Sequence, residues 1–135
     1  MLFNRPFDKQ FQTNIRLETE AKIHIQQDIL GGKYELVLSC VLDYENGLSP
    51  YLERKNRIIL WKDIAIEMCY ESDSVLADAE SLEKIGVKML DSLHIACAIF
   101  TNCNYFITTD SRLLKKPVNM IRIIDPIEFT KRECV

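Results

Sequence analysis

The chain has 135 residues, of which 47% are hydrophobic and 27% charged, and its formal net charge is −3 at pH 7. This length and composition are those of one ordinary soluble globular domain, so we predict a single domain over residues 1–135. No apolar run reaches the length of a membrane span, and no secretory signal pattern stands at the N-terminus, so we expect no membrane partner. The acidic balance argues against a surface that coats nucleic acid broadly.

The cysteine and histidine contents limit the available chemistry. The five cysteines are far apart, mostly in apolar surroundings, and form no Cys-x-x-Cys pair. We therefore expect buried thiols in a reducing cytoplasm and neither disulfides nor zinc ligands. The two histidines, His24 and His94, are too few for a three-histidine metal site and argue against a histidine-based triad.

The N-terminal region predicts a loop followed by a long helix. The opening MLFNRPFDKQF is apolar around Pro6 and then charged and rich in glutamine, a pattern of neither strand nor helix. Apolar residues recur at helical spacing from Thr13 to Leu30, and Gly31 and Gly32 end that helix.

The middle of the chain alternates short apolar runs with helical patterns. In chain order we predict a strand at Tyr34–Ser39, a short helix at Val41–Asn46, a helix at Leu52–Lys62 and a strand at Ile64–Tyr70. Ser72 is a suitable N-cap for a helix that runs to Ile85, and Gly86 stops it.

The last third of the chain predicts a buried helix between strands. Residues Met89 to Thr101 are apolar nearly all round, which is typical of a buried helix. A third strand ends at about Thr109, a fourth covers Met120–Asp125, and Pro126 begins a terminal helical turn. Strands separated by helices indicate a three-layer α/β domain with a mainly parallel sheet. Sites in such sheets form at the carboxyl ends of the strands.

Three acidic residues are candidates for a site at that edge. Asp110 ends the third strand, Asp91 opens the buried helix, and Glu45 lies in the short helix after the first strand, with Asp43 just before it. Converging carboxylates need a compensating cation, and hard oxygen ligands select Mg²⁺ or Mn²⁺. The alternative is structural, because an Asp that opens a helix can be a cap and an Asp that ends a strand can be a turn residue.

Two groups of basic residues could provide a local path for phosphates. The first contains Arg54, Lys55, Arg57 and Lys62, and the second contains Arg112, Lys115 and Lys116. A solvated helix face is the more common explanation for each group.

Four segments, in this order, resemble a PIN-domain protein: NRPFD, SCVLDYEN, KMLDSLHIACA and YFITTDSRLLKK. The resemblance covers essentially the whole chain and is closest to the small prokaryotic PIN proteins, which include toxin ribonucleases of type II toxin–antitoxin modules. It implies a parallel sheet between layers of helices. It also implies RNA cleavage that depends on Mg²⁺ or Mn²⁺ bound by three or four acidic residues. The partners it implies are RNA, an antitoxin protein and a second copy of the chain.

The resemblance assigns roles to individual residues. Glu45, Asp91 and Asp110 match the family's acidic positions and would be the metal ligands and catalytic residues. Thr108 matches the hydroxyl two residues before the last acid and would support it by a hydrogen bond. The basic groups, and not the resemblance, provide the expectation that residues near Arg54 or Lys115 would steer phosphates.

The remaining candidates are expected to be structural. His94 lies one turn after Asp91, where we expect a partly buried partner in helix packing and not a catalyst. Asp43 and His24 are expected to be structural or surface residues.

One departure from the family concerns the start of the chain. Family members begin with a short apolar strand that ends in Asp, ahead of the loop matched by NRPFD, and this strand lies between those represented here by YELVLS and YFITT. We therefore expect the first central strand to be missing from these 135 residues. The true start lies upstream, the sheet has rearranged, or another chain supplies the strand, and we favour the first explanation.

Two functions follow, and a third is disfavoured. The leading hypothesis is a metal-dependent ribonuclease. The alternative, motivated by the absent first acid, is a catalytically weakened PIN module that binds RNA or a protein partner. A receiver-like phosphate-handling domain would need an acidic pair after its first strand and a lysine at a late strand end, and neither is evident.

Overall fold

In the computed structural model the chain is a mixed α/β protein with short parallel strands. The structure describes residues 9–42, 44 and 52–133. None of the helices in this part is long and apolar enough to cross a membrane.

The observed elements follow the predicted order, except that the short helix at Ser111–Leu114 was not predicted. They are α1 (Lys9–Leu30), β1 (Val37–Ser39), α2 (Leu52–Ile64), β2 (Glu67–Cys69), α3 (Asp73–Lys84), α4 (Met89–Phe100), β3 (Tyr105–Ile107), α5 (Ser111–Leu114), β4 (Arg122–Ile124) and α6 (Pro126–Glu133). The strands are shorter than predicted, and α1 begins four residues before Thr13. Residues 40–42 and 44 are helical, whereas the rest of the predicted helix Val41–Asn46 lies outside the described residues.

The ends of α3 confirm the predicted capping signals. The Ser72 side chain accepts a hydrogen bond from the backbone N–H of Val75 at 3.3 Å, which satisfies one of the unpaired amides of the first turn. After α3, Gly86 has a φ of +95°, a conformation that L side chains rarely adopt. This turn leads directly into α4.

Helix α4 is the centre of the hydrophobic core. Ile95 and Ala96 are completely buried, as the nearly all-apolar pattern predicts. Ile95 packs in a cluster with Leu82 of α3, and Ala96 packs in a second cluster with Val75. Helix α4 also contacts β1, β2 and β3. One helix therefore supports strands from both halves of the chain.

The thiols within the described residues are free. Cys69 and Cys97 are buried, and Cys40 and Cys103 are half-buried. Burial raises the pKa of the Cys69 thiol and also that of the Cys97 thiol, so both stay protonated near neutral pH. The prediction of buried thiols is thus confirmed for these two, whereas Cys134 lies outside the described residues.

The strands form two parallel pairs. Strand β1 pairs with β2 with Val37 opposite Glu67, and β3 pairs with β4 with Tyr105 opposite Arg122. Within the described part of the chain these are separate two-stranded sheets. The parallel direction agrees with the prediction. Strands β1 and β3, between which we expected a central strand to be missing, belong to different pairs.

A cleft of about 1290 Å³ is lined by β1 and β3 together with α4. The carbonyl of Leu36 accepts a hydrogen bond from Ile66, and Thr108 donates to the carbonyl of Ile124. Alternate residues of a parallel strand direct their backbone groups to opposite sides. The backbone groups of Val37 and Ser39 therefore point away from β2, and by the same alternation those of Tyr105 and Ile107 point away from β4.

Hydrogen exchange tests this division of the sheet. We expect the amides of Val37 and Ser39 to exchange faster than that of Leu38, which faces β2, and the amide of Ile107 to exchange faster than that of Phe106. Amide exchange followed by NMR on the 135-residue chain measures both comparisons. Equal, strong protection of all five amides would show that these edges are paired and would contradict the two-sheet arrangement.

Candidate functional site

Asp91 lies in the first turn of α4, where the positive end of the helix dipole favours a carboxylate. The residue is half-buried, and the buried positions of the helix lie after it, at Ser92 and from Ile95 to Ala98. It lines the large cleft and also a second, smaller cavity. Asp91 therefore lies where the two spaces adjoin.

Asp110 follows β3 and caps the short helix α5. Its Oδ1 accepts a hydrogen bond from the backbone N–H of Arg112 at 2.9 Å. The Thr108 hydroxyl accepts one from the backbone N–H of Asp110 at 3.1 Å. Both bonds hold the chain at the carboxyl end of β3. Thr108 bonds to the backbone of Asp110 and not to its carboxylate, so its predicted support of that acid stays a prediction. Asp110 therefore has a structural contact in this turn, as the structural alternative for it predicts.

The smaller cavity brings Asp91 and Asp110 together. It has a volume of about 430 Å³, and both carboxylates are among its lining residues. The rest of the lining includes four cationic residues, Lys88, Arg112, Lys115 and Lys116. Two of the three predicted acids and one of the two predicted phosphate-steering residues thus share one cavity, although they come from separate segments of the chain.

The other predicted site residues cannot be placed. Glu45 and Asp43 lie outside the described residues, and so does the side chain of Arg54, whose backbone belongs to α2. Among the residues that the structure describes, no three His, Cys, Asp or Glu side chains are arranged to hold a metal ion. Mg²⁺ is commonly bound by one or two carboxylates together with waters and substrate phosphates. By donor chemistry, Asp91 and Asp110 fit such an ion.

His94 is held by a residue that we did not predict. Its Nδ1 lies 2.6 Å from the Ser39 hydroxyl, and its ring packs at a tilt against Phe106 with centroids 6.4 Å apart. The residue is half-buried, which confirms the expected packing position. Ser39 ends β1 at the carboxyl edge of the strands. This position in the sequence could have indicated that Ser39 lies near the site.

His24 is a surface residue, as expected. It is exposed on α1, and its Nε2 lies 3.3 Å from Asp28 Oδ2 one turn along the helix. Nothing in this position connects it to either cavity.

Lys88 is the second residue that sequence reasoning missed. It immediately precedes α4 and belongs to neither of the two basic groups, yet it lines the cavity with Lys116. The signal was its place just before the buried helix, three residues ahead of Asp91.

Comparison with known proteins does not assign a family. No protein-family model matches the chain, and no curated protein is significantly similar to it. The resemblance to PIN-domain proteins therefore stays a prediction, and the functional argument rests on the residues themselves.

Substitution of Asp110 separates its capping contact from its charge. We expect Asp110→Ala to lower the free energy of unfolding by about 1 kcal/mol, because the Arg112 amide loses its acceptor. Asp110→Asn keeps an oxygen acceptor and should stay within a few tenths of a kcal/mol of the wild type. Urea denaturation measures both. A loss in the Asn variant as large as in the Ala variant would show that the carboxylate charge, and not the hydrogen bond, stabilises this turn.

Proposed function

We propose that this protein is a metal-dependent endoribonuclease of the PIN type that uses Mg²⁺ or Mn²⁺. The observation that supports the proposal best is the cavity shared by Asp91 and Asp110, which four cationic residues also line. Carboxylates suit a divalent cation, and cationic groups beside them suit the phosphates of RNA.

Asp91 and Asp110 would hold the metal ion, with Glu45 as the third acid that the resemblance implies. When bound, such an ion neutralises charge on the phosphoryl oxygens and lowers the pKa of a bound water. Hydrolysis forms one P–O bond to a water oxygen and breaks the P–O bond to the leaving ribose oxygen.

The main contribution of the protein residues would be to hold the two carboxylates in position. The hydrogen bonds of Asp110 to Arg112 and Thr108 hold the end of β3, so this carboxylate needs little reordering to act. Asp91 is carried by α4, which the core holds in place. Each of the two carboxylates would thus be held on a rigid element, which preorganises a metal site.

The proposal includes a three-layer α/β/α fold and a cytoplasmic location. The parallel strand pairs and their contacts with α4 support the first. The free thiols among the described cysteines are compatible with a reducing compartment and support the second.

The second candidate is a catalytically weakened PIN module that binds RNA or a protein partner. An exposed apolar row on α2 favours a protein partner, since Leu52 is 70% exposed and Leu60 63% exposed, and Ile59 is exposed between them. An antitoxin protein or a second copy of the chain would be such a partner.

RNA cleavage distinguishes the two candidates. We expect the wild type to cleave RNA when Mn²⁺ or Mg²⁺ is added, and the double substitution Asp91→Asn with Asp110→Asn to reduce the rate at least about 100-fold, because both charged ligands are lost. Gel analysis of a labelled RNA with and without EDTA measures this.

Asp125→Asn is the matched control. Asp125 also follows a strand, β4, and its Oδ1 accepts a hydrogen bond from Glu128 N at 2.8 Å, so it caps a helix as Asp110 does. It does not line the small cavity. Cleavage that survives in the double variant would rule out this mechanism. An equal loss in the Asp125→Asn control would show that activity depends on the charge of any such capping carboxylate, and not on the pair in the small cavity.

A further inference from the structure

We propose that Lys88 and Lys116, with Arg112 and Lys115 beside them, form a phosphate-binding group that holds one RNA strand next to the carboxylate pair. The identity of the polyanion rests on the proposed function. The presence of an anion site rests on the arrangement of the cations themselves.

Cations from two distant segments meet at the turn between α3 and α4. A Cβ atom built on Gly86 would lie 2.9 Å from Lys116 Nζ, so the lysine ammonium lies against the backbone of this turn. Lys88 follows two residues later, and both lysines line the small cavity. Gly86 thus has two functions: it adopts the positive φ that ends α3, and it leaves room for the Lys116 side chain.

The charge of this group is only partly balanced by the acids of the cavity. Among the described residues, none of the four cations forms an ion pair within 4.0 Å. The cavity therefore contains four positive groups against two carboxylates, although the whole chain carries −3. A concave surface with an excess of one sign concentrates the field and attracts the opposite charge.

A single RNA strand fits this arrangement better than a double helix. The cavity of about 430 Å³ gathers the cations within one small space, whereas a duplex presents its phosphates over a broad surface. A groove of lysine and arginine that follows one backbone is the usual means of binding single strands. The two carboxylates repel any polyanion, but a divalent ion bound to them, as in the proposed function, would favour phosphates, so RNA suits the cavity better than an acidic peptide.

RNA binding measured in the absence of divalent metal tests the phosphate-binding group separately from cleavage. We would measure fluorescence anisotropy of a labelled single-stranded RNA 12-mer in EDTA at several KCl concentrations. Lys88→Met and Lys116→Met each remove a charge and keep an apolar stem. We expect each variant to bind several-fold more weakly and to lower the slope of log K against log[KCl] by about 0.7 for each phosphate that it no longer neutralises.

Lys22→Met is the matched control, because Lys22 is an exposed lysine on α1 that lines neither cavity. It should bind RNA like the wild type. If Lys88→Met and Lys116→Met also match the wild type in affinity and salt slope, or if the wild type binds no RNA, the inference is wrong. Thermal melting of each variant confirms folding, and Lys88, being exposed, provides a test even if Lys116→Met is unstable.

The same experiment separates this inference from the proposed function. Lysine-dependent binding without cleavage in Mn²⁺ would support the phosphate-binding group and reject the nuclease. Cleavage by the wild type together with unchanged binding in both lysine variants would reject the group and leave the nuclease intact.

Discussion

The burial of α4 is the constraint on which the rest of the structure depends. The helix is apolar nearly all round, so it must be covered on several sides, and α3, β1, β2 and β3 together provide that cover. Ile95 and Ala96 have no exposed surface, and large-to-small substitutions at such positions typically cost about 2–5 kcal/mol. Helix α4 thus positions both strand pairs, and its first turn carries Asp91 to the carboxyl edge.

The candidate site depends on that arrangement in two ways. Asp91 is held by a helix with a rigid core face, while Asp110 is held by its own hydrogen bonds at the end of β3. The cations of the small cavity offset two carboxylates that would otherwise repel each other. The open cleft between β1 and β3 reaches the same place, since Asp91 lines both spaces.

Local signals in the sequence predicted most elements but not their pairing. The Ser72 cap, the Gly86 stop and the apolar pattern of α4 each depend on neighbouring residues, and each is confirmed. Local signals could not predict the strand pairing, because pairing is non-local. The separation of β1 from β3 was expected only from the resemblance, which implies a missing strand between them. In the site, we expected acids that end a strand or open a helix to converge, and Asp110 and Asp91 line one cavity. Spacing along the chain gave no sign that Lys116 reaches the turn before Lys88.

Calorimetric titration with Mn²⁺ tests the central claim most directly, because it measures whether Asp91 and Asp110 act on one ion. We predict that the wild type binds Mn²⁺ and that Asp91→Asn and Asp110→Asn each weaken this binding severely. The double variant should lose little beyond either single variant, since the two ligands serve the same ion. Undiminished Mn²⁺ binding in both single variants would contradict a shared metal site in this cavity.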